Sequence, residues 1–308
     1  MNGANITRLH SSLHGALNAG DGEQLQALAL QITEHAAADF PAFHAILNAL
    51  GYHNRLSLIN EMMLLAWPQV QEDRSYSRPA VEAYAARATD HLIYAFLEDQ
   101  PQPADVTMTR ELVDRLERYF PVEVDRLQSY LKLLSGDVGR RWSAEDFESL
   151  EMPSLGGLII ECLGHSSRAN VPYARAHLFR ELFPRYLLDR QAGNLQPKPD
   201  MAAALRQGRR TFPQPLPEPL HLLAPDQPSL TLFMQRMLQT AYPQPYAAAA
   251  ILILLPYWLN YLELRELIPQ NVAAQSKTFL PDLHRELAPF WADHPDEALR
   301  AISSIHDN

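Results

Sequence analysis

Apolar side chains along this chain recur three and four residues apart, and hardly anywhere at strict alternation. At 3.6 residues per turn that spacing gathers them on one face of an α-helix, whereas a strand would scatter them over both of its faces. Leu25, Leu28, Ala29, Ile32 and Ala36 form one such stripe, with Asp21 placed as N-cap and Gln24 for a capping box. Val81, Tyr84, Ala85, Ala88, Leu92, Ala95 and Phe96 form a longer one, opened by Pro79. Leu112, Leu116 and Tyr119 line another, and Val124, Leu127, Leu131 and Leu134 are expected to face inward from the next. The same reading predicts helices near 6–19, 41–50, 55–67, 144–150, 172–190, 201–207, 230–242, 275–290 and 296–304. The fold class that follows is all-α: many short amphipathic helices packed as helical hairpins, as an irregular bundle or solenoid-like stack. No repeat of fixed period is evident.

With 47% hydrophobic and 20% charged residues the chain can build a core rather than remain disordered. Its 24 prolines and only 12 glycines count against nucleotide-binding α/β folds, which need glycine where backbone meets ligand. Prolines at 213, 215, 217, 219, 225 and 228 make the stretch from Thr211 to Pro228 extended. The expected organisation is a helical domain over 1–192, a proline-rich linker or wrapping loop over 193–228, and a C-terminal helical subdomain over 229–308. The segment Tyr246–Leu262 is apolar enough to raise a membrane span, but Pro256, Asn260 and Glu263 interrupt it, so a kinked core helix and no span is the expectation. One cysteine, Cys162, allows no internal disulfide, and Met1–Asn5 carries no basic start or apolar run, so the expected location is cytoplasmic.

Three groups of residues invite a chemical reading. Leu158–Leu163 followed by Gly164, His165 and Ser166 resembles the start of a hydrolase nucleophile elbow. The turn also wants a glycine where Arg168 stands, and several parallel strands, where this sequence offers at most one candidate, Leu158–Leu163 itself. The competing expectation is a helix that ends at Gly164 as its C′ residue. Cys162 and His165 could pair as thiol and imidazole, but a cysteine after Ile159 and Ile160 is expected to be buried and inert. His10 and His14 stand four apart on the first helix, yet Ser11 holds the place of a metalloprotease glutamate and no further ligands are identifiable. His35, His44, His53 and His91 lie near Glu34, Asp39 and Asp90 without completing a metal or phosphohydrolase motif. No catalytic residue, metal site or cofactor is therefore assigned.

The net charge of −10 argues against nucleic-acid binding through the overall surface. From His165 to Arg210, however, nine basic residues face three acidic ones, a local +6 that leaves −16 elsewhere. Arg168, Arg175, Arg180, Arg185, Arg206, Arg209 and Arg210 are the candidate surface for an acidic protein partner or a phosphate-bearing ligand, since arginine's planar fork grips such groups at two points. Pairing with acidic groups of the same chain is the alternative. Pro184 is expected to break the helix that carries the middle of this series. Taken together, the sequence suggests a non-enzymatic helical scaffold or adaptor. An all-α enzyme with dispersed histidine and acidic groups, or a regulator that binds a small ligand between helices, are the alternatives.

Overall fold

The structure, a computed structural model, describes residues 3–34, 39–99, 106–135, 142–195 and 221–303. It is all-α, and the described residues contain no strand. The helices are α1 (Gly3–Ala19), α2 (Gly22–Thr33), α3 (Phe40–Tyr52), α4 (Leu56–Glu72), α5 (Arg78–Asp99), α6 (Val106–Leu116), α7 (Val124–Ser135), α8 (Met152–Arg168) and α9 (Tyr173–Gln191). They continue as α10 (Gln227–Leu238), α11 (Pro245–Leu264), α12 (Gln270–Thr278), α13 (Leu280–Leu287), α14 (Pro289–Ala292) and α15 (Glu297–Ser303). A short 3₁₀ turn spans Ala144–Phe147.

Short polar side chains start several of them. Asp21 accepts from the Gln24 N–H, Asp39 from the Ala42 N–H and Asp226 from the Ser229 N–H, each satisfying a donor that the first turn leaves open. Gly20 and Gly193 follow α1 and α9 in the left-handed conformation that ends helices.

Consecutive helices pack as neighbours: α1 on α2, α4 on α5, α7 on α8, α8 on α9 and α11 on α12. Helix α9 also contacts α3, α5, α10 and α11, so it runs through the middle. One contiguous buried cluster extends from Leu9 to Ile302 and takes in residues on both sides of the 193–228 stretch. Helix α11 is the one helix among the described residues with the length and composition to cross a membrane, and 67% of its apolar window is buried inside the fold.

Several local expectations need correction. The stretch Leu158–Leu163, the best strand candidate, is helical, and α8 does not end at Gly164 but continues to Arg168. A Cβ at position 164 would lie 1.9 Å from the Leu134 carbonyl oxygen, so this glycine lets α7 and α8 touch backbone to backbone. Asn170, with φ of 64°, sits in the left-handed conformation just past the helix end. Pro184 does not break α9, nor Pro68 α4. The lost backbone bond costs about 3 kcal/mol, which burial of Phe179, Phe183 and Leu187 on either side of Pro184 offsets. The expected helix over 275–290 is three helices, with prolines at 281 and 289 in the first turns of the second and third. Tyr119 and Val124 are exposed, because α6 ends at Leu116 and Val124 is only the first residue of α7. The expected helix over 201–207 and the prolines at 213–219 lie outside the described residues.

Candidate functional site

A cleft of about 840 Å³ opens between α1, α3, the 239–244 turn and the α14 end. Its walls are largely apolar: Leu13, Phe40, Ala45, Leu238, Tyr242 and Phe290 line it. The volume falls within the ~300–1,000 Å³ typical of small-molecule sites, where a mostly apolar wall carries a few convergent polar groups. Here those groups stand at two ends, each backed by a hydrogen-bonded network.

At one end are His44 and Asn48, one turn apart on α3 and therefore on one face. Behind both lies the guanidinium of Arg87 from α5, which is only 7% exposed. Its Nη1 donates to His44 Nε2, and its Nη2 donates to Asn48 Oδ1 at 2.9 Å. Nη1 also lies 3.4 Å from the Glu181 carboxylate on α9. Glu181 in turn accepts from His177 Nε2 at 3.1 Å, while Tyr94 and His177 Nδ1 are 3.2 Å apart. Arg180 completes the chain, donating to the Tyr94 hydroxyl at 2.7 Å and pairing with Asp90 at 2.8 Å. Burial alone would raise the pKa of Glu181, but Arg87 and His177 outweigh it and hold the carboxyl well below its usual range. His44 is lowered to about 3, by the Arg87 charge first and by burial second. It is therefore neutral at physiological pH.

At the other end, Tyr246 from α11 donates to Asp296 Oδ2 at 2.7 Å and sits 3.0 Å from His14 Nδ1. Asp296 is fully buried and also accepts from His53 at 2.6 Å and from the Ala298 N–H at 2.9 Å. Burial would raise its pKa, and these hydrogen bonds reverse the effect, bringing it to about 2. His294, which lines the cleft, accepts from the Asp296 N–H through Nδ1 at 3.1 Å.

Of the residues singled out by sequence, His14 and His44 line the cleft and His53 pairs with Asp296 behind it, while the others fall elsewhere or apart. Ser166 is buried and donates to the Cys162 carbonyl at 2.9 Å, so it is no elbow. Burial pushes the Cys162 thiol up to about 12, far from a thiolate at neutral pH. Glu161, one turn before His165, is buried instead against Trp142, which donates at 2.7 Å, and Arg265 at 2.5 Å. The His10 side chain lies outside the described residues. Among the described residues no group of three His, Cys, Asp or Glu side chains is placed to hold a metal ion.

The arginines divide. Arg175 donates to the Tyr52 carbonyl at 2.9 and 2.7 Å, and Arg180 is engaged with Asp90, Tyr94 and Tyr130. Arg190 is buried and donates to the carbonyls of His221, Leu222 and Ala224, fixing the chain that leads into α10. Arg168 and Arg185 are exposed; Arg168 donates to the Ser135 carbonyl and Arg185 lies 3.7 Å from Asp189. Arg206, Arg209 and Arg210 lie outside the described residues.

Sequence reading missed Asn48, Arg87, Tyr246 and Asp296. The one available signal was the four-residue step from His44 to Asn48. Arg87 stands 43 positions from His44, and Asp296 stands 243 from His53, distances over which no local pattern operates. Comparison of the chain with family models, with curated proteins and with solved structures returns no match.

Proposed function

We propose that this chain binds a small, largely apolar molecule in the cleft between α1, α3 and the start of α11, in the manner of a ligand-responsive helical protein. The observation that carries this reading is the cleft itself: about 840 Å³, walled by aromatic and aliphatic side chains, with imidazole, amide and phenol groups at its two ends. Both ends are backed by buried networks that hold those groups in place, and such preorganisation lowers the cost of binding. A scaffold role for the arginine-rich stretch would rest on Arg168, Arg185 and the segment beyond Leu195, because Arg175 and Arg180 are engaged inside the chain.

The test is a cleft-filling substitution. Ala45 lines the cleft and is only half-buried, so Ala45→Trp can occupy it without disturbing the core. Extracts of small molecules that raise the melting temperature of the protein are expected to lose that effect on Ala45→Trp. Stabilisation that survives the substitution would place ligand binding elsewhere.

A further inference from the structure

The guanidinium of Arg87 has donors only, and this determines the polarity of what it touches. His44 Nε2 must present its lone pair to Arg87, so the ring proton sits on Nδ1. Asn48 must present Oδ1, so its amide NH₂ points away from Arg87. Neither His44 Nδ1 nor Asn48 Nδ2 has a hydrogen-bond partner among the described residues, though Asn48 is only 4% exposed. Both residues line the cleft. Its inner end thus offers two N–H donors, fixed by one buried cation.

Two donors side by side suit an oxygen or nitrogen lone pair, and the charges nearby decide which kind. The positive charge of Arg87 is matched by Glu181 at 3.4 Å. Arg180 is matched by Asp90 at 2.8 Å. Asp39 lines the cleft and Asp296 lies behind its far end, while His44 is neutral. A bound carboxylate would add a negative charge where, among the described residues, no cation is left over to meet it.

We infer that the His44–Asn48 end of the cleft receives an uncharged acceptor, such as the oxygen of an amide, ketone or lactone, carried by an otherwise apolar molecule whose body lies along Phe40, Leu238 and Phe290. This rests on the reading of the cleft as a ligand site, and the experiment separates the two.

The probes are 2-naphthamide, 2-naphthoate and 2-methylnaphthalene, which share one apolar body and differ in the head group. Binding to the ¹⁵N-labelled full chain at pH 7 is followed by chemical-shift titration. The amide is expected to bind at least tenfold more tightly than the carboxylate. Asn48→Asp keeps an acceptor for Arg87 but removes the amide donor; it is expected to weaken 2-naphthamide about tenfold and leave 2-methylnaphthalene unchanged. Asn48→Leu, with its fold checked by the same spectra, is expected to do likewise. Carboxylate binding equal to or tighter than amide binding overturns the inference, as does amide binding indifferent to both Asn48 variants. In those cases the cleft remains a ligand site if Ala45→Trp abolishes binding of all three probes. Binding of the three probes that ignores Ala45→Trp, or no binding by any of them, overturns the inference and the cleft reading together.

Discussion

Arg87 and Asn48 meet at 2.9 Å, guanidinium to amide oxygen, and that contact ties a side chain of α5 to the chemistry that α3 presents in the cleft. The same guanidinium holds His44 and faces Glu181, so a single buried cation orients three side chains from two other helices.

Removing that cation should be costly. Arg87→Leu leaves the Glu181 carboxylate without its main partner and His44 and Asn48 without a donor. A broken buried pair costs about 3–5 kcal/mol. Replacing both members, Arg87→Leu with Glu181→Leu, removes the orphaned charge and should be distinctly less damaging than the sum of the single changes. Urea unfolding of the three variants checks this. Additive losses would show that the pair does not act as a unit.

The arginine series is expected to split by position. Arg180→Ala removes the partner of Asp90 and the donor to two tyrosines, and should cost about 3 kcal/mol. Arg185→Ala, an exposed side chain 3.7 Å from Asp189, should change stability by less than about 0.5 kcal/mol. Thermal unfolding measures both, and equal effects would contradict the division of the series into half-buried, internally paired members and exposed ones.

Gly164→Ala should force α7 and α8 apart, since the new Cβ would meet backbone rather than a movable side chain. Overpacking of this kind costs about 1–3 kcal/mol and more where nothing can yield. Gly156→Ala on the same helix, where a Cβ meets nothing within 4 Å, is the control and should be neutral or slightly stabilising. A neutral Gly164→Ala would refute the close crossing.

Stability should fall as the solution becomes acidic, beginning near the ordinary histidine range. His44 is lowered to about 3, and His91 lies well below its usual value, through burial first and then the neighbouring His177 and Arg87. Between about pH 6.5 and pH 3 the unfolded chain binds a proton that His44 refuses in the fold, a loss of about 1.4 kcal/mol per pH unit, and His91 acts in the same direction. Asp296 acts in the same direction lower down: its carboxylate stabilises the fold above the ordinary value of 3.8, and that contribution is lost as pH falls through about 2. His44→Gln keeps an acceptor for Arg87 and cannot take a proton, so its stability profile between pH 6 and 4 should be shallower by about 1.4 kcal/mol per unit. A wild-type profile flat from pH 7 to 4 would contradict the buried neutral histidines.

Local rules made part of this legible. Periodicity marks the helices, and Asp21 reads as an N-cap because capping acts within one turn. Glycine and proline misled where tertiary contacts overrode them: Gly164 serves a helix crossing instead of a helix end, and Pro184 sits inside α9 because the apolar residues around it are buried. Of the cleft, His14 and His44 stood out in sequence only as histidines without a completed motif. His44 and Asn48 show as a pair on one helix face, but nothing near them in sequence says that Arg87 lies behind them. Tyr246 and Asp296 become neighbours only when α11 and the chain before α15 come together.

Arg87 sets the polarity of His44 and Asn48, and the tautomer of His44 reports it. Long-range ¹H–¹⁵N correlation of the histidine side chains at pH 7, assigned with His44→Gln, distinguishes a protonated Nδ1 from a protonated Nε2. With Arg87 donating to Nε2, His44 is expected to carry its proton on Nδ1 and to stay neutral down to about pH 4. A His44 protonated on Nε2 at pH 7, or one that titrates near 6.5 like a free imidazole, would contradict it.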